Sequence, residues 1–298
     1  MPMAPRPPAA SSRNKARLLP PLPDIVLEPI VKLALAEDLG AAGDVTTDAL
    51  IDPDTQGHWA LRAREAGVVA GLDAAILTGA MIDHDMEFTV LSPDGSRVKT
   101  GETIMEISGA ARSVLMAERT MLNFIGRLSG IATLTRVYVD AIAGMGVIIA
   151  STRKTTPGLR ALEKRAVRLG GGGAHRYGLD DAMLIKDNHI AAAGSVSLAM
   201  QRAREAAAHL TCIEIEVDNL EQLKQALPHL PSAILLDNFS QADMRTAVKL
   251  AKGQMLLEAS GGITIENVFA VAETGVDVIS IGALTHSARS LDVGLDAL

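Results

Sequence analysis

From residue 147 onward, short apolar runs alternate with amphipathic stretches. The runs at 147–150, 183–185, 212–217, 233–236, 255–257 and 278–281 have the length and composition of buried parallel strands. Between the first two, Leu159, Leu162, Ala166 and Leu169 recur at helical intervals, opened by Pro157 and stopped by the glycines at 170–173. The repeating unit is a strand followed by a helix. The last four strands recur about every 20–30 residues, a spacing that suits a barrel and a doubly wound sheet equally. The residues at the carboxyl end of each run separate the two folds: Arg153 with Lys154, then Lys186, Glu216 with Asp218, Asp237, Glu258 with Ser260, and Gly282. Polar groups at every carboxyl end converge on one mouth in a (β/α) barrel but spread along an edge in an open sheet, so the pattern predicts a barrel-like fold with fewer than eight strands.

The first part of the chain has a different rhythm. It predicts an early helix at 27–39, strand-like alternation at 57–64 and 87–91, and a turn at Ser92-Pro93-Asp94-Gly95. A long helix is expected from 111 to about 127, with Val114, Leu115, Met121, Leu122, Ile125 and Leu128 on one apolar face and a position between two domains. The expected organisation is a disordered tail over 1–23, an N-terminal domain over 24–127, a barrel domain over 128–286, and a segment over 287–298 returning to the N-terminal domain.

Composition narrows the function classes. A chain of 298 residues, 48% of them hydrophobic, can bury a large core. The 28 Lys and Arg against 35 Asp and Glu give a formal charge of −7, and only one Trp, two Tyr and four Phe are present for stacking. Both features argue against nucleic acid as a partner. No apolar run is long enough to span a bilayer, so a soluble, cytoplasmic protein is expected. Residues 1–23 carry Arg6, Arg13, Lys15 and Arg17 without an acid, in the manner of a transit peptide. Pro2, Pro5, Pro7 and Pro8 would break the helix such a peptide needs, which favours a disordered tail. The single Cys212 excludes an intrachain disulfide, fits a reducing compartment, and within its apolar run is expected to be buried.

Against this acidic background the stretch from Ser151 to His189 gathers Arg153, Lys154, His175, Arg176 and Lys186 at strand ends and glycine-rich turns, a layout that calls for a small, highly charged anion. Arg153 and Arg176 suit carboxylate recognition, because the guanidinium fork matches two carboxylate oxygens. Lys186 fits either a Schiff base or a cation holding a carboxylate or phosphate. His175 fits an acid, a base or a hydrogen-bond donor, and His189 is a weaker candidate. Glu216 and Asp237 oppose these cations and suit Mg²⁺, sugar hydroxyls or a developing positive charge. Ser260-Gly261-Gly262 and Ile281-Gly282-Ala283 on adjacent late strands are candidate phosphate cradles.

Together these motifs resemble the quinolinate phosphoribosyltransferase family, the carboxylating nicotinate-nucleotide pyrophosphorylases of NAD biosynthesis. The resemblance runs from Ala34-Leu35-Ala36-Glu37-Asp38 and Gly43-Asp44-Val45-Thr46-Thr47 through Glu118-Arg119 and Leu128-Ser129-Gly130-Ile131-Ala132-Thr133 to the central cationic segment and Ile281-Gly282-Ala283-Leu284-Thr285-His286, leaving only about the first 23 residues outside. It implies an N-terminal α/β sandwich and an open, incomplete TIM-like α/β barrel. It also implies a Mg²⁺-dependent reaction of quinolinate with phosphoribosyl pyrophosphate giving nicotinate mononucleotide, pyrophosphate and CO₂, in a homodimer with shared active sites. Carried over by position, Arg153, His175, Arg176 and Lys186 would hold the quinolinate carboxylates, with Arg119 reaching in from the partner chain. Thr152 and Lys154 would contact substrate or pyrophosphate. Glu216 and Asp237 would serve the ribose hydroxyls and Mg²⁺, while Ser260, Gly261, Gly262, Ile281, Gly282, Ala283 and His286 would hold the 5-phosphate; the catalytic set is Lys154, Lys186, Glu216 and Asp237. The rivals are a related phosphoribosyltransferase of another acid, such as the molybdenum-transport-associated relatives, a Schiff-base lyase using Lys186, and a non-catalytic anion-binding protein.

Overall fold

A computed structural model describes residues 19–298, so most of the tail expected over 1–23 lies outside the described residues. Within them the chain forms two compact units. One comprises Val137–Arg153 and Gly172–Gly282; the other comprises Leu19–Arg136, Lys154–Gly171 and Ala283–Leu298. The chain therefore passes between units several times, which apolar periodicity does not disclose.

The second unit begins with α1 (Asp24–Leu39) and α2 (Val45–Leu50). Gly43-Asp44-Val45-Thr46-Thr47 is a helix start: the Asp44 carboxylate accepts from the backbone N–H groups of Thr46 and Thr47, satisfying amides that have no partner inside the helix. The Thr47 hydroxyl and then its amide hold the Asp44 carboxyl below the usual carboxylate range. Next come β1 (Gln56–Ala63), β2 (Gly67–Val68), α3 (Leu72–Ile82), β3 (Glu87–Val90), β4 (Arg97–Val98) and β5 (Thr103–Ala110). β1, β5 and β3 pair antiparallel, and the C-terminal strand β12 (Val293–Ala297) adds to the free side of β1, giving the order β12-β1-β5-β3. Leu61, Ile104, Met105 and Ile107 are fully buried from this sheet, together with Val114 and Ile125 of α4 (Ala111–Ala141). That helix runs 31 residues rather than ending near 127, because no glycine cap or proline interrupts it before Ala141. Helix α5 (Arg160–Leu169) and the short α11 (Ala283–His286) also belong to this unit.

The other unit is built on six parallel strands: β6 (Ile148–Ala150), β7 (Met183–Ile185), β8 (Ile213–Val217), β9 (Ala233–Asp237), β10 (Leu256–Ser260) and β11 (Val278–Ser280). Their spatial order is β6-β11-β10-β9-β8-β7. In an open doubly wound sheet the first strand would sit beside an early neighbour. Here β6 pairs with the last strand, as ring closure requires, and the seam lies between β6 and β7. Gly173 bridges to Ala150 on the outer edge of β6, in the position where another strand would begin. This is the open, incomplete TIM-like barrel.

Period-2 alternation decides what each face of that sheet carries. Ile215, Ile234 and Leu257 form one aligned row and Val217, Leu236, Ala259, Ile279 and Ile149 another, and each is 2% exposed or less. Helices α7 (Val196–Ala206), α8 (Leu220–Ala226), α9 (Gln241–Ala251) and α10 (Val268–Ala272) supply apolar partners such as Met200, Leu223, Ala247 and Val268. The opposite face carries Glu214, Glu216, Asp237, Glu258 and Ser260. Cys212 is exposed, contrary to expectation: it precedes Ile213, the first residue of β8, and shares the parity of Glu214 and Glu216 rather than that of the buried Ile213 and Ile215. Among the described residues no helix is long and apolar enough to cross a membrane.

Candidate active site

The carboxyl ends of the parallel strands hold most of the predicted residues. Thr152 and Arg153 leave β6, both half-buried. Arg176 lies close enough to Arg153 for the two cations to repel. Its guanidinium sits below the ordinary arginine value chiefly because burial strips water from the charge, and secondly because of Arg153, with Glu214 and Asp181 acting in the opposite sense. Arg176 Nη1 donates to the Ala182 carbonyl at 3.0 Å, while its Nε is buried without a hydrogen-bond partner among the described residues. Two adjacent guanidinium groups of this kind make a surface that wants a multiply charged anion.

His175 is oriented on both ring nitrogens. Nδ1 accepts the Arg176 backbone N–H at 2.8 Å, which assigns the hydrogen to Nε2. Nε2 faces Glu214 Oε2 at 3.0 Å and Glu258 Oε1 at 3.6 Å. Sequence reasoning does not mark Glu214 and Glu258 as ligands, though both stand on strands next to predicted positions. Asp181 is a second unforeseen contributor: its carboxylate accepts from the backbone of Tyr177 and Gly178, at 2.6 and 3.2 Å, and so shapes the loop behind Arg176. No local signal marks it, since an Asx turn accepts from amides that follow the Asp, whereas Tyr177 and Gly178 precede Asp181.

Lys186 caps α6 (Asp187–Ala193) and directs its Nζ to Glu216 Oε2 at 2.6 Å. His189 serves the fold, accepting the Lys186 backbone N–H on Nδ1 at 2.9 Å. On β9, Asp237 lies one pleat beyond Leu235, the partner of Glu216, so the two carboxylates occupy the same face of neighbouring strands. Asp237 accepts from Asn238 Nδ2 at 2.7 Å, and Asp237 and Ser260 are paired across β9 and β10.

The glycines after β10 are conformational requirements. Gly261 and Gly262 have φ of +88° and +61°, and a Cβ on Gly261 would come within 2.2 Å of Asn238 Oδ1. Successive left-handed residues present a concave row of backbone N–H groups suited to phosphate. After β11, the Ile281 amide donates to the Ala150 carbonyl at 2.9 Å, so that amide is not part of a phosphate cradle. Lys154, Ala283, His286 and Arg119 fall in the other compact unit: Lys154 and His286 are exposed, Ala283 begins α11, and Arg119 is exposed on α4.

Known proteins resemble this chain over most of its length. The family model for the quinolinate phosphoribosyl transferase N-terminal domain matches residues 44–129, and that for the C-terminal domain matches residues 131–296. The chain is 48% identical over 271 residues to the carboxylating nicotinate-nucleotide pyrophosphorylase of Mycobacterium leprae, covering 89% of this chain and 95% of that one. It is 44% identical over 261 residues to the probable enzyme of the same name from Bacillus subtilis, covering 87% and 89%. The crystal structure of nicotinate-nucleotide pyrophosphorylase from Ehrlichia chaffeensis superposes with a TM-score of 0.87 at 41% identity, over 91% of this chain and 98% of that one. With two domain models covering nearly all the described residues, the chain belongs to the quinolinate phosphoribosyl transferase family.

Proposed function

We propose that the protein transfers the phosphoribosyl group of phosphoribosyl pyrophosphate to quinolinate with loss of CO₂, forming nicotinate mononucleotide and pyrophosphate for NAD synthesis. The observation that carries this reading is the placement of Arg153 and Arg176 side by side at the barrel, both half-buried, with Arg176 partly stripped of water and repelled by Arg153. A dicarboxylate relieves that repulsion, and it enters only if the cations offset its own charge and that of the donor. Lys186 adds a third positive group. Its ion pair with Glu216 places the ammonium at the boundary between the cationic and the acidic residues.

On the acidic side Glu216 and Asp237 face the same surface. As pyrophosphate leaves, positive charge grows on the ribose ring, and a carboxylate fixed beside it stabilises that charge without reorganising. The donor set also fits Mg²⁺, which takes hard oxygen ligands and is commonly held by one or two carboxylates together with substrate phosphate. Glu216 and Asp237 would hold the ion, and it would supply neutralisation of the pyrophosphate charge. Lys154 extends the same service to the leaving group, while the amides around Gly261, Gly262 and Gly282, with Ser260, Ala283 and His286, hold the 5-phosphate. After transfer the pyridine nitrogen is cationic, so the bond to the neighbouring carboxylate can break with its electron pair held beside that nitrogen, releasing CO₂, and a proton from water then takes the vacated carbon position to give nicotinate mononucleotide.

We also propose a homodimer in which Arg119 of the partner subunit completes the quinolinate site. Supporting this, Arg119 is exposed on α4, and the same unit displays Ile25, Leu33, Val45 and Leu50 at 65–81% exposure, a large apolar display for a surface that stays in water. The deciding experiment incubates pure protein with quinolinate, phosphoribosyl pyrophosphate and Mg²⁺ and follows nicotinate mononucleotide. Product with equimolar pyrophosphate is expected. Turnover of other acids but not quinolinate would favour a related phosphoribosyltransferase. Trapping of a substrate adduct on Lys186 by borohydride would favour the lyase.

A further inference from the structure

Helix α5 buries six consecutive residues, Leu162 to Val167, three of which are the charged Glu163, Lys164 and Arg165. Ionised groups out of water are costly unless paired and hydrogen-bonded, so each needs a reason to be there. Arg165 has one, donating to Asp73 Oδ2 at 3.1 Å and Asp94 Oδ2 at 3.2 Å. Glu163 leads elsewhere. Its side chain is 0% exposed, and Oε1 accepts from Arg127 Nη2 at 2.8 Å, Arg127 Nε at 3.2 Å and Thr156 Oγ1 at 2.7 Å. Oε2 accepts the Thr156 backbone N–H at 3.0 Å. The Arg127 guanidinium continues outward, donating through Nη1 to the Ala288 carbonyl at 3.0 Å and through Nη2 to the Thr285 carbonyl. The Thr285 hydroxyl then donates to the Lys154 carbonyl at 2.6 Å, and the ring closes on the segment where it began.

Two short pieces of backbone are thereby tied to one buried ion pair. One is residues 154–156, which carries Lys154; the other is residues 283–286, which ends in His286. Apolar packing could fill the same volume but would set no register between two loops, whereas a guanidinium fork and a doubly engaged carboxylate fix angles as well as distances. We propose that Arg127 and Glu163 are positioning residues for the phosphoribosyl donor: the pair holds the Lys154 loop and the His286 turn at the spacing that phosphate and pyrophosphate recognition requires. The inference rests on the reading of the site given above and adds two residues to it that touch no reacting atom.

Glu163→Gln keeps the shape and an acceptor for Thr156 but removes the charge opposite Arg127. It should lower kcat/KM for phosphoribosyl pyrophosphate by roughly 10- to 100-fold, the range in which displacement of a positioned group by about an ångström acts. Quinolinate affinity measured by calorimetry should stay within about twofold. Thr285→Val is the milder partner experiment: it deletes the hydroxyl bond to the Lys154 carbonyl and should cost roughly fivefold on the same parameter, the worth of one ordinary hydrogen bond, at nearly unchanged melting temperature. Lower melting temperatures with unchanged kcat/KM for the donor would overturn the proposal, and so would equal losses for both substrates. If Glu163→Gln does not fold, Thr285→Val decides alone. Should the wild-type protein make no nicotinate mononucleotide, the functional reading fails rather than the pair. Inorganic pyrophosphate binding then takes over as the readout, with weakening in Thr285→Val expected and equal binding overturning the inference.

Discussion

Replacing Arg176 with alanine separates binding from folding, because its contacts within the chain are few. Among the described residues the side chain makes one hydrogen bond, Nη1 to the Ala182 carbonyl, worth about 0.5–1.5 kcal/mol. Against that loss stands relief of the repulsion from Arg153 and of the cost of holding a partly desolvated cation. The two nearly cancel, so global stability should change by less than about 1 kcal/mol. Quinolinate loses a charge-assisted contact worth about 1.5–3 kcal/mol, which at 1.4 kcal/mol per decade is a fall of roughly 12- to 150-fold in kcat/KM for that substrate. The assay varies quinolinate at saturating phosphoribosyl pyrophosphate and records thermal unfolding of the same sample. Unchanged kcat/KM would refute the role of Arg176, and a large drop in melting temperature would refute the claim that its cost is confined to the site.

Asp94 offers a test on stability against pH. Burial pushes its carboxyl up to about 6, and the unfolded value is near 3.8, so the folded state binds more protons between those pH values and stability falls as pH rises through that window. Asp94→Asn should gain about 2–3 kcal/mol relative to wild type on going from about pH 4 to about pH 7 by denaturant titration, and a constant difference would contradict this. Gly130→Ala should cost about 1–3 kcal/mol, because the new Cβ would meet the Arg289 carbonyl oxygen at 1.9 Å; chemical denaturation checks it. Asp237→Asn should cut kcat by roughly 100-fold with little change in quinolinate affinity, and removing Mg²⁺ with a chelator should give a comparable loss in steady-state assays. Mixing equal amounts of Arg119→Ala and Lys186→Ala protein should recover about a quarter of wild-type activity, since half the dimers would be mixed and carry one intact site of two; no recovery would argue against a shared site.

The strands of the barrel are legible in the sequence because their apolar runs are buried on one face by helices and bounded by glycine or charge. Met183–Ile185 falls where the run predicts, and the others shift by a residue or a few at their ends. The cationic cluster is legible for the same reason, since side chains at strand ends are placed by the strand. What escapes is anything set by three-dimensional company. The helical spacing of Leu162 and Ala166 says nothing of Glu163, Lys164 and Arg165, all three buried, and the pairing of Glu163 with Arg127 joins residues 36 apart with no local signal. Glu214 and Glu258 alternate with apolar residues as any half-exposed strand would; only the sheet register brings them to His175. Cys212 looks like part of a buried run because its neighbours are apolar, while the strand's parity places it with Glu214 and Glu216, on the face away from the buried Ile213 and Ile215.

The most direct measurement compares quinolinate with nicotinate, the same ring lacking the second carboxylate, as acceptors under identical donor and Mg²⁺ concentrations. If Arg153, Arg176 and Lys186 recognise a dicarboxylate, kcat/KM for quinolinate should exceed that for nicotinate by at least about 100-fold, the equivalent of roughly 3 kcal/mol of charge-assisted contact, with one CO₂ released per pyrophosphate. Equal use of the two acids, or pyrophosphate release without CO₂, would contradict the account.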